Sequence, residues 1–214
     1  MKREDRNPTK FQIKGKFIFF ATGNFNKFNE ARIILAKYKI AAAMLRVKNF
    51  EIQSDYLKEI AKASVLAAFN ACNLPVVVED AGLFVEALKG FPGPYAAYVY
   101  KTISNPGLLK LMEKVENRKA TFCSLLAYYD GKLPPVCFEG EANGEIVAAE
   151  RWGTGKAGFG FDPIFSPAGS QKTFAEMPIE EKNCYSHRAN AFRKFAEWYY
   201  TLRKVREGSE LALR

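Results

Sequence analysis

The sequence predicts an α/β protein built on a mixed β-sheet with flanking helices, and three observations carry that expectation. The chain opens in the order strand, helix, strand, helix, strand, as parallel sheets do. Further strand-like runs lie between residues 120 and 149, an antiparallel meander that can form a second lobe. One long helical pattern, His187–Val205, comes last. A cleft between two such lobes is the default place for a ligand.

Each element has its own signal. Lys16–Ala21, rich in Phe and Ile, is a buried strand broken by Thr22-Gly23-Asn24. Phe28, Ala31, Ile34, Leu35 and Tyr38 then recur with helical period, and Asn24 suits the N-cap. A short strand is expected near Leu45–Val47. A second helix is expected over Tyr56–Cys72, with Leu57, Ile60, Ser64, Ala68 and Ala71 on one face and Pro75 past its end. Val76-Val77-Val78 reads as a short buried strand that ends at Glu79-Asp80. Phe91-Pro92-Gly93-Pro94 reads as a rigid loop, and Asn105–Val115 as a helix. Ala120–Tyr129, Val136–Glu139 and Gly144–Ala149 are the meander strands, with turn signals at Asp130-Gly131 and Asn143-Gly144. Gly153–Phe165 is a glycine-rich loop. Ser186 suits the N-cap of the last helix, where Ala191, Phe195, Trp198 and Leu202 share one side.

Composition narrows the function. With 48% hydrophobic and 14% aromatic residues among 214, the chain can bury a sizeable core, and disorder as its main state is excluded. Runs such as Phe17–Ala21 and Ile40–Leu45 are far too short to span a membrane. The first ten residues hold no apolar signal core, so the cytoplasm is the default setting. Cys72, Cys123, Cys137 and Cys184 form no CxxC pair beside a single histidine, so neither a disulfide scaffold nor a zinc site is expected. The net charge of +9 favours an anionic partner: nucleic acid, a membrane surface or a phosphorylated small molecule. Much of that excess sits in a polar leader, residues 1–15, expected to be a solvated tail. Residues 16–206 are expected to form a single two-lobed domain and 207–214 a tail.

Four motifs can carry chemistry. Thr22-Gly23-Asn24-Phe25-Asn26-Lys27 ends a strand and opens a helix, whose N–H groups and dipole suit an anion. Lys27 opposes that dipole; it is either the partner of a bound anion or an ordinary surface lysine. Glu79-Asp80 follows an apolar strand, where carboxylates must be paired, metal-bound or exposed. Together with substrate phosphates they suit Mg²⁺, and Glu51 can add a further carboxylate. Gly153-Thr154-Gly155-Lys156-Ala157-Gly158 matches GxGxxG, but Pro163 follows where a dinucleotide site needs a helix, and the Walker A pattern also fails. A mobile loop is the better use of it, with Phe159 stacking on a base and Asp162 accepting hydrogen bonds from it. Lys182, His187 and Arg188 bring three donors to the start of the last helix. His187 has no Ser-His-Asp context, and its ordinary role is a structural helix cap.

Taken together, ATGNFNK, VVVEDAGLFVEALKGFPGPYAAY, GFGFDPIF and TFAEMPIEEKNCYSHR resemble the inosine triphosphate pyrophosphatase family, in order and at matching intervals from about Lys16 to about Trp198. The resemblance implies hydrolysis of non-standard purine nucleoside triphosphates (ITP, dITP, XTP) to the monophosphate and pyrophosphate. It implies Mg²⁺ as cofactor, an elongated mixed sheet with two lobes around a central nucleotide cleft, and a homodimer. Thr22, Gly23, Asn24 and Lys27 would hold phosphates. Glu51 and Asp80 would bind Mg²⁺, and Asp80 would also help activate water. Phe159 and Asp162 would sandwich and read the base, next to Gly160, Phe161 and Ala81. Lys182, His187 and Arg188 would complete the nucleotide pocket. Neither a membrane nor a specific nucleic acid is implied as partner. The chain departs from the family pattern twice: many members carry a lysine at the position of Ser64, and some a polar residue at that of Ala81. One phosphate contact is therefore missing or replaced, with Lys62 a candidate.

The competing class is a basic nucleic-acid binder. It would use the leader and Arg188, Arg193, Lys194, Arg203, Lys204 and Arg206 of the last helix, and it has no need of Glu79-Asp80. A related pyrimidine nucleotide pyrophosphatase would share fold and metal and differ in substrate.

Overall fold

A computed structural model describes residues 16–47, 52–132, 134–154 and 158–212, with side chains as far as residue 202. The leader, Glu51 and the middle of the GxGxxG segment lie outside the described residues. Strand β1 (Lys16–Ala21), helix α1 (Phe25–Lys37), strand β2 (Ile40–Leu45), helix α2 (Leu57–Cys72) and strand β3 (Val76–Val85) form the opening unit. There follow β4 (Pro92–Gly93), α3 (Ala96–Thr102), α4 (Ser104–Leu111), β5 (Lys119–Tyr129), β6 (Val136–Ile146), β7 (Phe165–Pro167), α5 (Ile179–Tyr185) and α6 (His187–Ala212). The strands make one mixed sheet in the order β2-β1-β3-β5-β6-β7, with β4 paired to β3. β1 runs parallel to β2 and β3, and the remaining pairs are antiparallel.

Several local expectations need correction. β2 lies over Ile40–Leu45, not Leu45–Val47, because its ladder follows β1 from Lys16↔Ile40 to Ala21↔Leu45 and stops where β1 stops. β4 occupies the middle of the expected Phe91–Pro94 loop, α3 is an additional helix beyond it, and α6 continues past Val205 to Ala212. β3 does not end at Glu79-Asp80: it pairs with β1 only at Val76 and Val77, then continues against β5 through Glu79↔Leu126 and Asp80↔Leu125. What ends there is β1, so the two carboxylates still lie past the carboxyl edge of the parallel strands, the usual ligand edge of such sheets. β6 runs straight through Asn143-Gly144, where Thr121 Oγ1 lies 2.8 Å from Asn143 Oδ1. A Cβ on Gly144 would come within 2.2 Å of the Ser166 carbonyl oxygen, so this glycine serves the close approach of β7 and makes no turn.

Alternation along the strands builds two layers of core. On one face Ile18, Phe20, Val77 and Leu126 pack against Ala31, Ile34 and Leu35 of α1 and Ala191, Phe192 and Phe195 of α6. On the other, Ala21, Val76, Val78 and Leu125 pack against Ala61, Val65 and Ala68 of α2. Burial on both faces accounts for the nearly continuous apolar runs of β1 and early β3. β3, β5 and β6 are long, with 10, 11 and 11 residues, and their far ends carry a further core. There Leu83, Phe122 and Ile146 pack with Leu108, Met112 and Phe165. This is the second lobe.

Candidate active site

Two adjoining cavities open where β1 ends, and they share Asn24 and Lys27 as a common rim. Alternation along β3 divides its residues between them. Asp80, on the α2 face with Val78, lines the smaller cavity. Ala81, on the opposite face with Glu79, lines the larger.

The smaller cavity measures about 300 Å³ and is lined by Thr22, Gly23, Ser64 and Asp80 among others. Thr22 Oγ1 accepts from the Asn24 N–H at 3.1 Å. Asn24 Oδ1 accepts from the N–H groups of Asn26 and Lys27 at 2.9 and 3.2 Å, confirming the N-cap. The N-terminus of α1 is therefore partly capped by its own side chain. A Cβ on Gly23 would meet nothing within 4 Å, so open space reaches the backbone there. Lys62 is exposed and does not line the cavity, because α2 turns Ile60, Ala61, Ser64, Val65 and Ala68 inward instead. It is thus not the replacement contact that the sequence suggested.

The larger cavity measures about 330 Å³, in the range of small-molecule sites. Phe122, His187 and Arg188 line it from the sheet and α6, Ala96 and Tyr100 from α3, and Phe159–Asp162 from the loop before β7. A Cβ on Gly140 would fall 2.2 Å from the His187 carbonyl oxygen, so only glycine lets α6 start directly on β6. Ser186 Oγ accepts from the Ala189 N–H at 3.2 Å and caps that helix. The His187 ring stacks on Phe122 with centroids 4.6 Å apart and planes at 8°. Burial first, and then the Arg188 charge, hold the imidazole pKa well below its ordinary value, so His187 is neutral. Gly160 adopts a left-handed φ of 62°, and Asp162 Oδ2 closes that turn by accepting from the Phe159 N–H at 2.8 Å. Asn105 Nδ2 donates to the Gly160 carbonyl at 3.3 Å.

A buried ionic network holds both cavities in place. Lys182 Nζ lies 2.7 Å from Glu30 Oε1 and 2.6 Å from Asp162 Oδ2. Arg188 joins Glu30 Oε2 at 2.6 Å to Glu79 Oε1 at 3.2 Å. Lys27 Nζ lies 2.9 Å from Glu79 Oε2, and Ser124 Oγ donates to Glu79 at 2.7 Å. Burial alone would raise the carboxyl pKa of Glu79, but Arg188 and Lys27 outweigh it and hold it far below the usual range. Lys182 and Arg188 together do the same for Glu30. Lys182 remains charged because Asp162 and Glu30 outweigh its burial. Three cations thus meet three carboxylates, and the cleft carries less surplus positive charge than its Lys and Arg content suggested. The anion that Lys27 meets is the side chain of Glu79.

Most of the expected site residues therefore converge. Thr22, Gly23, Asn24, Lys27 and Asp80 surround one cavity, while Ala81, Phe159, Gly160, Phe161, Asp162, His187 and Arg188 line the other. Lys182 lies beneath, only 3% exposed, and lines a side cavity of about 190 Å³ with Phe159 and Glu30. Sequence reasoning missed Glu30, Tyr100 and Phe122. Glu30 had a signal, a carboxylate one turn before Ile34 on the buried face of α1. The basic-helix alternative loses ground: Arg188 is buried, Arg193 bonds Asn190 and Asn183, and Lys194 donates to the Glu139 carbonyl. Both Glu79 oxygens face cations, Asp80 lines the smaller cavity, and among the described residues no cluster of three or more metal-ligating side chains occurs.

The chain is similar along most of its length to known proteins. The dITP/XTP pyrophosphatase of Methanopyrus kandleri is 50% identical over 182 residues, which cover 85% of this chain and 95% of that protein. That of Thermococcus kodakarensis is 48% identical over 179 residues, covering 84% and 95%. The solved Ham1 protein of Staphylococcus aureus superimposes with a TM-score of 0.73 at 28% identity, covering 87% of this chain and 99% of that one. A HAM1 protein from Coxiella burnetii gives 0.75 at 26%, with the same coverage. The Ham1 family model matches residues 18–198, nearly the whole of both lobes, and the chain belongs to that family.

Proposed function

We propose that the chain hydrolyses non-standard purine nucleoside triphosphates (ITP, dITP and XTP) to the monophosphate and pyrophosphate, clearing them from the nucleotide pool. The carrying observation is the pair of joined cavities: an aromatic-walled one of base size, and one lined by small polar residues and Asp80, with Lys27 and Asn24 between them. The names of the two archaeal relatives support the substrate class.

In this reading the base enters the larger cavity and stacks on Phe159, while the backbone of Gly160 and Phe161 and the ring of His187 face its edge. Ala81 leaves room for the sugar. Thr22, Gly23, Asn24 and Lys27 hold the phosphates. Lys182 keeps Asp162 in position from below, and Arg188 ties Glu30 to Glu79 beside it. A nucleoside triphosphate brings about four negative charges, and its in-line hydrolysis needs them neutralised. The buried network is balanced and cannot do this alone, which fits a divalent cation held by Asp80 with Glu51. Mg²⁺ bound there would supply charge neutralisation on the phosphates. Asp80 would accept a hydrogen bond from the attacking water and orient it toward the α-phosphorus. A homodimer in a cytoplasmic setting completes the proposal.

Assaying pyrophosphate release from a panel of purine and pyrimidine triphosphates, with Mg²⁺ or with EDTA, tests this. Release from ITP, dITP or XTP that EDTA abolishes is expected. Release from pyrimidine triphosphates alone, or from none, would overturn it.

A further inference from the structure

We propose that Ser64 is a phosphate-positioning residue that donates its hydroxyl to the pyrophosphate end of the substrate; the inference rests on the hydrolase reading above. Ser64 lies midway along α2, among Ile60, Ala61, Val65 and Ala68 on the face packed against the sheet. It is 9% exposed, and its Oγ is buried with no hydrogen-bond partner among the described residues. Even the bond that a buried helical serine commonly makes to the carbonyl one turn back is not formed. For stability alone serine is the wrong residue here. Alanine has the higher helix propensity and leaves no orphaned hydroxyl.

The cavity gives the hydroxyl a use. Ser64 lines the smaller cavity with Asp80, and it does not line the larger one. Lys27 and Asn24 line both. A nucleotide with its base in the larger cavity passes its α-phosphate over that shared rim. What reaches Ser64 is then the β–γ end, which leaves as pyrophosphate. A hydroxyl can donate one hydrogen bond to a non-bridging oxygen without adding charge. It helps seat the triphosphate and still lets the product go.

Binding of pyrophosphate and of inosine monophosphate to wild type, Ser64→Ala and Ser64→Thr, measured by calorimetry with Mg²⁺ present, tests this without turnover. In Ser64→Ala the pyrophosphate Kd should rise about tenfold, as for one lost bond to a charged group. The monophosphate Kd should stay within about twofold on the same scale. Ser64→Thr, which keeps the hydroxyl, should restore most of the difference. The melting temperature of the free Ser64→Ala protein should match or exceed that of wild type. An unchanged pyrophosphate Kd, equal weakening of both ligands, or a wild type that does not bind pyrophosphate would overturn the assignment. Failure of the hydrolase reading shows separately, as absence of ITP hydrolysis by wild type.

Discussion

Lys27 Nζ stands 2.9 Å from Glu79 Oε2, so a lysine in the first turn of a helix is neutralised by a carboxylate in the middle of a strand. Lys27 also lines both cavities, so this pair sits where they meet. In Lys27→Ala, Glu79 keeps Arg188 and Ser124 as partners, so the protein should fold. Losing one charge-assisted contact should cost about 1–3 kcal/mol in stability and a comparable amount in triphosphate kcat/KM. Thermal melts and steady-state kinetics measure both. An unchanged kcat/KM would remove Lys27 from substrate binding.

Asp80→Asn should keep the fold, because Asp80 holds its place through the ladder to Leu125 of β5. Turnover should fall on the order of 10²–10⁴-fold if the carboxylate orients water and metal. A variant that keeps more than about a tenth of wild-type turnover, on that same scale, would exclude Asp80 from the mechanism.

Glu30→Ala leaves both Lys182 and Arg188 short of a carboxylate in a site where each is almost fully buried. Breaking a buried pair from one side typically costs about 3–5 kcal/mol. Denaturant unfolding should show a loss of that order. A loss below about 1 kcal/mol, the range of surface pairs, would mean that the network is not carrying the fold.

His187 gives a pH signature. Burial depresses its folded pKa, Arg188, Lys182 and Lys27 add positive charge around it, and Glu79 opposes them in part. Below its ordinary value of 6.5 the unfolded chain takes up a proton that the folded protein refuses. Stability should therefore be full above that pH and fall as the pH drops below it, by up to about 1.4 kcal/mol per pH unit. Between 4.5 and 6.5 Glu30 and Glu79, also depressed, keep their contribution, while Asp162, raised by burial, works against the histidine, so the His187→Gln variant supplies the comparison over that interval. Wild type should lose stability across that interval, and His187→Gln should lose less. Parallel curves would show that His187 is not buried as the neutral form.

Elements whose signals are local are legible in the sequence. β1, α1, α2 and β5 follow from periodicity, and the caps Asn24 and Ser186 from residue type, because those signals act within one turn or one strand. The full length of β3 is not legible, because two adjacent carboxylates after three valines look like a strand end. What lets Glu79 stay inside the sheet is Lys27 and Arg188, and neither is near it in sequence. Asn143-Gly144 misled in the same way, since the reason for glycine is the Ser166 carbonyl on another strand. α3 and α5, seven residues each, are too short to show a helical period. The motif residues around the cavities were legible as types, but the balance of charge was not. That balance depends on Glu30 meeting Lys182 and Arg188 across the fold.

The most direct test is to give the protein ITP and ATP side by side with Mg²⁺ and separate the products by anion-exchange chromatography. Hypoxanthine presents a carbonyl at position 6 and a donor at N1, and adenine presents the reverse. In a pocket edged by backbone groups and a neutral His187, each mismatched group should cost about 1–3 kcal/mol. Inosine monophosphate and pyrophosphate should therefore form on the order of 10²–10⁴-fold faster, by kcat/KM, than the adenine products. Comparable rates on the two bases would refute the base pocket, and inosine diphosphate with orthophosphate would refute attack at the α-phosphorus.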